Sequence, residues 1–244
     1  MARIYTCACV SGSTAVADAA AAIRAGRSGR VVVAAGYLVE PDQFALFDSG
    51  RALAKDGAAR PFSTGRSGLL LGDAVSAVVL EPVGTREVLA EVAGWGRGGD
   101  AFHVVRPDPR GRGMARAVGD ALRRAGIGPD EVGYVNANAS GAESDPAEAA
   151  ALREAFGTAR IPVSSTKAVH GHGLEGSGLL ELVVTVLAAQ AGKLPVTAGH
   201  LETDPACDLD LILDAPRTAA SPYALSVNAA FGGANTALLV RAAS

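Results

Sequence analysis

Cys9 stands in the segment Ala8-Cys9-Val10-Ser11-Gly12, after an apolar run over 3–9 that reads as a short buried strand and before an alanine-rich run over 14–25 that reads as a helix. A thiol at a helix N-terminus feels unpaired N–H groups and the positive end of the dipole, which favour the thiolate that attacks carbonyls. The commoner fate of such a cysteine is to serve as a small buried apolar side chain. Cys7, two residues earlier, points to the same face of a strand and competes for the nucleophile's role. His170-Gly171-His172 falls in a strand-to-helix turn, and Lys167 precedes His172 by five residues. The histidines could ligate a metal, but no cysteine or carboxylate cluster completes a site, so none is expected. A histidine in such a turn suits acid/base work or stabilisation of an oxyanion.

Other motifs carry less. Asn136-Ala137-Asn138-Ala139-Ser140-Gly141 ends a strand, where asparagines often do no more than bond loop backbone. Gly94-Trp95-Gly96-Arg97-Gly98-Gly99 fits the spacing of a dinucleotide-binding turn, but Pro107 and Pro109 follow soon after and no helix can, so the match is accidental. Neither a phosphate-binding P-loop nor a Gly-x-Ser-x-Gly elbow occurs. The arginines from Arg106 to Arg124 read as a solvated face.

The elements that must hold these residues alternate between Val/Leu/Ala-rich runs and helical patterns, which is the signature of layered α/β architecture. Strands are expected over 30–35, 74–80, 87–93, 132–136, 161–165, 223–228 and 236–242, and helices over 14–25, 43–53, 113–125, 145–156 and 174–191. The unbroken Val31-Val32-Val33 predicts a strand covered on both faces. Asp145 is placed to cap its helix, with Pro146 in the first turn. The 244 residues, 49% hydrophobic and 19% charged, suffice for one large domain or two small ones. A mean hydropathy of +0.24 excludes a disordered chain. A net charge of −3 argues against non-specific nucleic-acid binding. Three cysteines make no secreted disulfide framework, so a reducing cytoplasm is expected. The helix over 174–191, broken by Glu175, Glu181 and glycines, reads as too short and too polar for a membrane.

Two unequal halves follow from this order of elements. Residues 87–244 read as a complete half, and residues 1–86 as the remainder of another that carries Cys9 but lacks an opening βαβ unit.

Together the motifs resemble the β-ketoacyl-(acyl carrier protein) synthases of the thiolase-like superfamily, over essentially the whole chain. The resemblance rests on Ala8-Cys9-Val10-Ser11-Gly12, Arg60-Pro61-Phe62 with Arg66-Ser67-Gly68 and Gly72-Asp73, Asp100-Ala101-Phe102-His103 with Pro107-Asp108-Pro109, Val163-Ser164-Ser165-Thr166-Lys167 with Gly171-His172, and Asn228 with Phe231-Gly232-Gly233-Ala234-Asn235. It implies a layered αβαβα fold whose truncated first half is completed by a partner chain, and a hetero-oligomer that needs no cofactor and serves an acyl carrier protein. It further implies that Cys9 carries the acyl chain, that His172 supports the thiolate and polarises the extender, and that Lys167 and Asp73 organise charge behind the histidines. Phe231 would gate the acyl pocket, and N–H groups around Cys9, Phe231 and Gly232 would hold the oxyanion.

Three departures bear on this. Cys9 stands at the very start, Glu175 replaces a small residue, and Asn138 stands where the family has a histidine that assists decarboxylation. Related thiolase-fold condensing enzymes use one histidine and one asparagine with the positions exchanged. The expected function is therefore the C-terminal subunit of a split ketosynthase. The alternatives are an acyltransferase that does not decarboxylate and a non-catalytic subunit resembling a chain-length factor, although such subunits usually lack the cysteine.

Overall fold

The computed structural model describes residues 2–84 and 86–243. A 3₁₀ turn at Ala8–Val10 runs into α1 (Ser11–Arg24), followed by β1 (Val31–Tyr37), α2 (Pro41–Ser49) and β2 (Ala74–Leu80). The second half holds β3 (Ala90–Gly99), α3 (Arg112–Ala125), β4 (Val132–Asn136), α4 (Asp145–Phe156) and β5 (Pro162–Ser164). One-turn α5 (Lys167–His170), long α6 (Leu174–Ala191), and the short β6 (Lys193–Leu194), β7 (Asp210–Leu211) and β8 (Arg217–Thr218) come next, and β9 (Tyr223–Ala230) and β10 (Ala234–Ala242) close the chain.

Six strands form the main sheet in the order β3-β10-β9-β4-β5-β7, antiparallel from β3 to β9 and parallel from β9 to β7. Strand alternation sends side chains into two cores. Val135, Leu225, Val227, Ala237 and Leu239 meet α3 and α4 on one face. Tyr134, Ala224, Leu238 and Val240 meet α1 and α6 on the other. Gly94, Gly96 and Gly98 explain the dinucleotide-like spacing in β3: a Cβ on each would lie 2.1, 1.8 and 2.0 Å from α3 carbonyl oxygens, so only glycine lets the helix seat there.

Helices α1 and α6 form a central layer, with the main sheet on one side and the antiparallel β1–β2 pair on the other. Each sheet thus repeats one unit, a buried helix followed by an antiparallel strand pair: α1-β1-β2 and α6-β9-β10. In the second unit β9 is flanked by parallel β4 and β10 by antiparallel β3, whereas among the described residues β1 and β2 have no third strand. This is the layered α/β arrangement expected, with the first half the slighter.

Several expectations are corrected. Residues 2–7 form no strand, because among the described residues no neighbouring strand offers them a ladder, and Ile4 is 91% exposed. Cys7 and Cys9 therefore share no strand face. Val31–Val33 is covered on one face only: Val33 is buried while Val32 lies open. Asp145 does not cap α4, since Ser144 holds that position, and its carboxylate instead accepts the N–H groups of Phe62, Ser140 and Gly141. By length and composition alone α6 could cross a membrane, contrary to the expectation; in this fold it is the central helix.

Candidate active site

Both central helices point their N-termini at one place. A Cβ on Gly12 would lie 2.9 Å from the backbone N of Leu179, and one on Gly178 would lie 3.0 Å from the backbone N of Ser13. The helices cross at this pair of glycines, which brings the 3₁₀ turn carrying Cys9 against α6, β9 and β10. Ala8, just before Cys9, has a φ of +50°, a strained left-handed conformation for a residue with a Cβ. Ser11 secures the turn, accepting the Cys7 N–H at 2.8 Å and donating to the Ala8 carbonyl at 2.7 Å.

Cys9 is separated from its rivals by electrostatics. Burial pushes its pKa up to about 11, and Lys167 is the chief charge that opposes the rise. The helix-end effect expected from sequence is outweighed by desolvation, so the resting group is a thiol. Cys207 is wholly buried and pushed up to about 12, with Arg66 rather than Lys167 as its opposing charge, and Cys7 is exposed.

Behind Cys9 lies a buried polar network. Lys167, 1% exposed, places Nζ 2.5 Å from Glu181 Oε1 and 3.4 Å from Asn138 Oδ1. Glu181 Oε2 accepts from Asn228 Nδ2 at 2.5 Å, and its backbone carbonyl accepts from Asn136 Nδ2 at 3.2 Å. Glu148 Oε1 accepts the Asn138 N–H at 2.7 Å. Breaking a buried ion pair by removing one partner typically costs about 3–5 kcal/mol, so Lys167 and Glu181 hold each other in place. Because Lys167 donates to the Asn138 side-chain oxygen, the amide NH₂ is left free to donate elsewhere.

The two histidines part company. His172 is buried, and its backbone pairs with β2's approach through Leu70 and Gly72. Burial holds its pKa well below the ordinary value, and the charges of Lys167 and His170 push the same way, so it is neutral at pH 7. His170 is half-buried and tied locally, donating from Nδ1 to the Gly171 carbonyl at 2.7 Å with Nε2 2.9 Å from Thr166 Oγ1. Among the described residues no group of three or more potential metal ligands occurs.

Two positions depart from what the motifs suggest. Asp73 is exposed and accepts the Val39 N–H at 2.8 Å, and the carboxylate against Lys167 is Glu181. The Gly232 N–H donates to the Val104 carbonyl at 2.9 Å and is not free to hold an oxyanion. Phe231 stands in the β9–β10 turn, 51% exposed, stacked on Phe47 of α2 with ring centroids 6.2 Å apart. Sequence reasoning passed over Glu181, Glu148 and Ser177. The available signal was Glu181 within Leu179-Leu180-Glu181-Leu182, a charge in an apolar helix that must find a buried partner.

The layers and the cysteine, histidine and lysine they gather define a thiolase-like condensing-enzyme fold. The chain matches the beta-ketoacyl synthase N-terminal domain over residues 2–85 and the C-terminal domain over residues 89–200. It belongs to the β-ketoacyl synthase family. Nodulation protein E of Rhizobium leguminosarum bv. trifolii is 38% identical over 247 residues, covering 97% of this chain and 60% of that protein. The 3-oxoacyl-[acyl-carrier-protein] synthase 2 of Synechocystis sp. (strain ATCC 27184 / PCC 6803 / Kazusa) is 35% identical over 246 residues, covering 95% and 59%. The solved ishigamide ketosynthase/chain length factor superposes with a TM-score of 0.92 at 30% identity, covering 98% of this chain and 60% of that one. The chain thus spans about three fifths of the length of these relatives.

Proposed function

We propose that the chain is the nucleophile-bearing part of a ketosynthase that condenses an acyl group with a malonyl-type extender in polyketide or fatty-acid-like synthesis. Cys9 sulfur attacks the thioester of an acyl carrier protein, and the carrier thiol leaves with the proton that Cys9 gives up. The extender then loses carbon dioxide, its electron pair forms an enolate, and the enolate carbon attacks the Cys9 thioester and releases the sulfur. The observation that carries this reading is the Lys167–Asn138 contact, which leaves the Asn138 NH₂ as a donor, while the same lysine helps to keep His172 neutral. Two neutral donors can stabilise an enolate oxygen. Phe231 gates the acyl pocket in this reading, and Asp73 belongs to the loop before β2.

In this reading a second polypeptide completes the first half and makes the working unit a hetero-oligomer; one solved relative is named as a ketosynthase/chain length factor. The bare β1–β2 pair and the repeated helix-hairpin unit support this. Three free cysteines fit a reducing cytoplasm.

Asn138 also favours a second reading, transfer without decarboxylation, because its amide cannot carry the charge a histidine can. The two are separated by loading the assembled protein from an acyl carrier thioester, mapping the adduct, and adding malonyl carrier protein. Acylation at Cys9 with release of carbon dioxide and a ketoacyl product is expected, and Asn138→Ala should load normally while releasing far less carbon dioxide. Normal loading with no carbon dioxide from the unmodified protein would establish plain acyl transfer. An adduct on Cys7 that survives Cys9→Ala would overturn both.

A further inference from the structure

We infer that Ser177 fixes the tautomer of His172, keeping the single ring proton on Nε2. Ser177 lies in the first turn of α6, fully buried, with Oγ 3.0 Å from His172 Nδ1 and 2.9 Å from the backbone N of Gly173. The Gly173 N–H can only donate, so Ser177 Oγ accepts there. The hydroxyl has one hydrogen to place, and the Gly173 carbonyl one turn back already takes the N–H groups of Gly176 and Ser177, at 2.7 and 3.1 Å. His172 Nδ1 is the remaining acceptor. Were the ring proton on Nδ1, the imidazole would donate to Oγ, and the hydroxyl hydrogen would be stranded in the interior, a costly arrangement for a buried polar group. The relay therefore runs from Gly173 N–H to Ser177 Oγ, and from Ser177 O–H to His172 Nδ1. The depressed pKa of His172 agrees, since a neutral ring can accept at Nδ1.

The consequence rests on the ketosynthase reading. An imidazole held with its proton on Nε2 offers a donor there and cannot take the Cys9 proton. His172 then serves carbonyl and enolate oxygens, and Ser177 is a positioning residue that acts through it.

Histidine-selective ¹⁵N NMR of the purified protein reads the tautomer directly, with the His172 signals identified by their loss in His172→Gln. A pyridine-like Nδ1 and a protonated Nε2 are expected between pH 6 and 8. Ser177→Ala, smaller than the native residue, should give a mixture of tautomers, and Ser177→Thr should restore the native one. In the assembled enzyme the alanine variant should lower kcat for carbon dioxide release about tenfold or more, with little change in KM for malonyl carrier protein. A proton on Nδ1 in the unmodified protein, or an alanine variant with unchanged tautomer, would overturn the inference. Because the spectrum needs no turnover, a correct tautomer in a protein that never condenses would leave this inference standing and sink the ketosynthase reading alone.

Discussion

Glu148 shows how far burial has moved the ionisable groups around Asn138. Burial pushes its pKa up to about 8, and Asp145 adds repulsion, against the pull of Lys167 and of the hydrogen bond from the Asn138 N–H. In the folded protein this carboxyl keeps its proton to about pH 8, against an ordinary value of 4.5. Between those values the folded state binds more protons than the unfolded one, so stability falls as pH rises. Asp145, raised to about 6 mainly by burial, works in the same sense over a lower window. His172 works oppositely: its lowered value makes stability rise with pH up to its ordinary 6.5. From pH 6.5 to 8 the decline belongs to Glu148. Thermal melts should therefore lose on the order of 2 kcal/mol across that interval, about 4–8 °C in Tm. Glu148→Gln, which can still accept from Asn138, should flatten the slope. A Tm that does not fall between pH 6.5 and 8 in the unmodified protein would refute the assignment.

Among the elements, the crossing of α1 and α6 matters most, since it sets the Cys9 turn against the loop carrying Lys167 and His172. Gly178→Val would drive side-chain carbons into Ser13 N, 3.0 Å from the first added carbon, and into Asn228 Oδ1 at 3.2 Å. Overpacking of this kind costs about 1–3 kcal/mol. Denaturant melts should show a loss of that size, and Cys9 acylation should slow more than global stability alone explains. Acylation at the native rate in a folded variant would mean that the crossing does not position the nucleophile. Most elements were legible from their runs and breakers: α4, α6, β2 and β4 fall where the residue pattern puts them. The errors share one cause. A strand over 3–9 and a second covered face for Val31–Val33 both depended on what lies across space from a residue. Local pattern says that Val32 is apolar but not whether another layer covers it. Cys9, His172 and Lys167 could be proposed from sequence because each was read at a helix end or turn, whereas Glu181, a charge in an apolar run, could be paired with Lys167 only once α6 was seen to pass behind it.

At the scale of the whole molecule, the two repeated units differ in what surrounds them. Around β9–β10 the second unit has α3 and α4 on the outer face and a strand on each edge. Around β1–β2 the corresponding face is open, with Val32, Val75 and Val79 at 65, 74 and 60% exposed. Beside β2 a groove of about 660 Å³, lined by Val79, Val83, Leu89, Trp95 and Val186, follows the edge where the second unit holds β3. An unpaired edge beside a bare apolar face is an aggregation hazard for an isolated chain. Fully covering a valine contributes about 1.5–3 kcal/mol, and interfaces that complete a core exceed about 2,000 Å². The chain alone should therefore self-associate, and under the two-polypeptide proposal a complement that covers this face should hold it in a defined hetero-oligomer. Val75→Lys with Val79→Lys, on the outward face of β2, separates the possibilities. The double variant should make the isolated chain more soluble without unfolding it, because these side chains touch little within the chain. The same charges would be buried against the complement, so co-expression should no longer give a stable complex or load Cys9. Light scattering and co-purification read the two effects independently. A lone unmodified chain that is monomeric and condenses acyl groups, or a double variant that assembles and loads at the native rate, would show that this face has no partner.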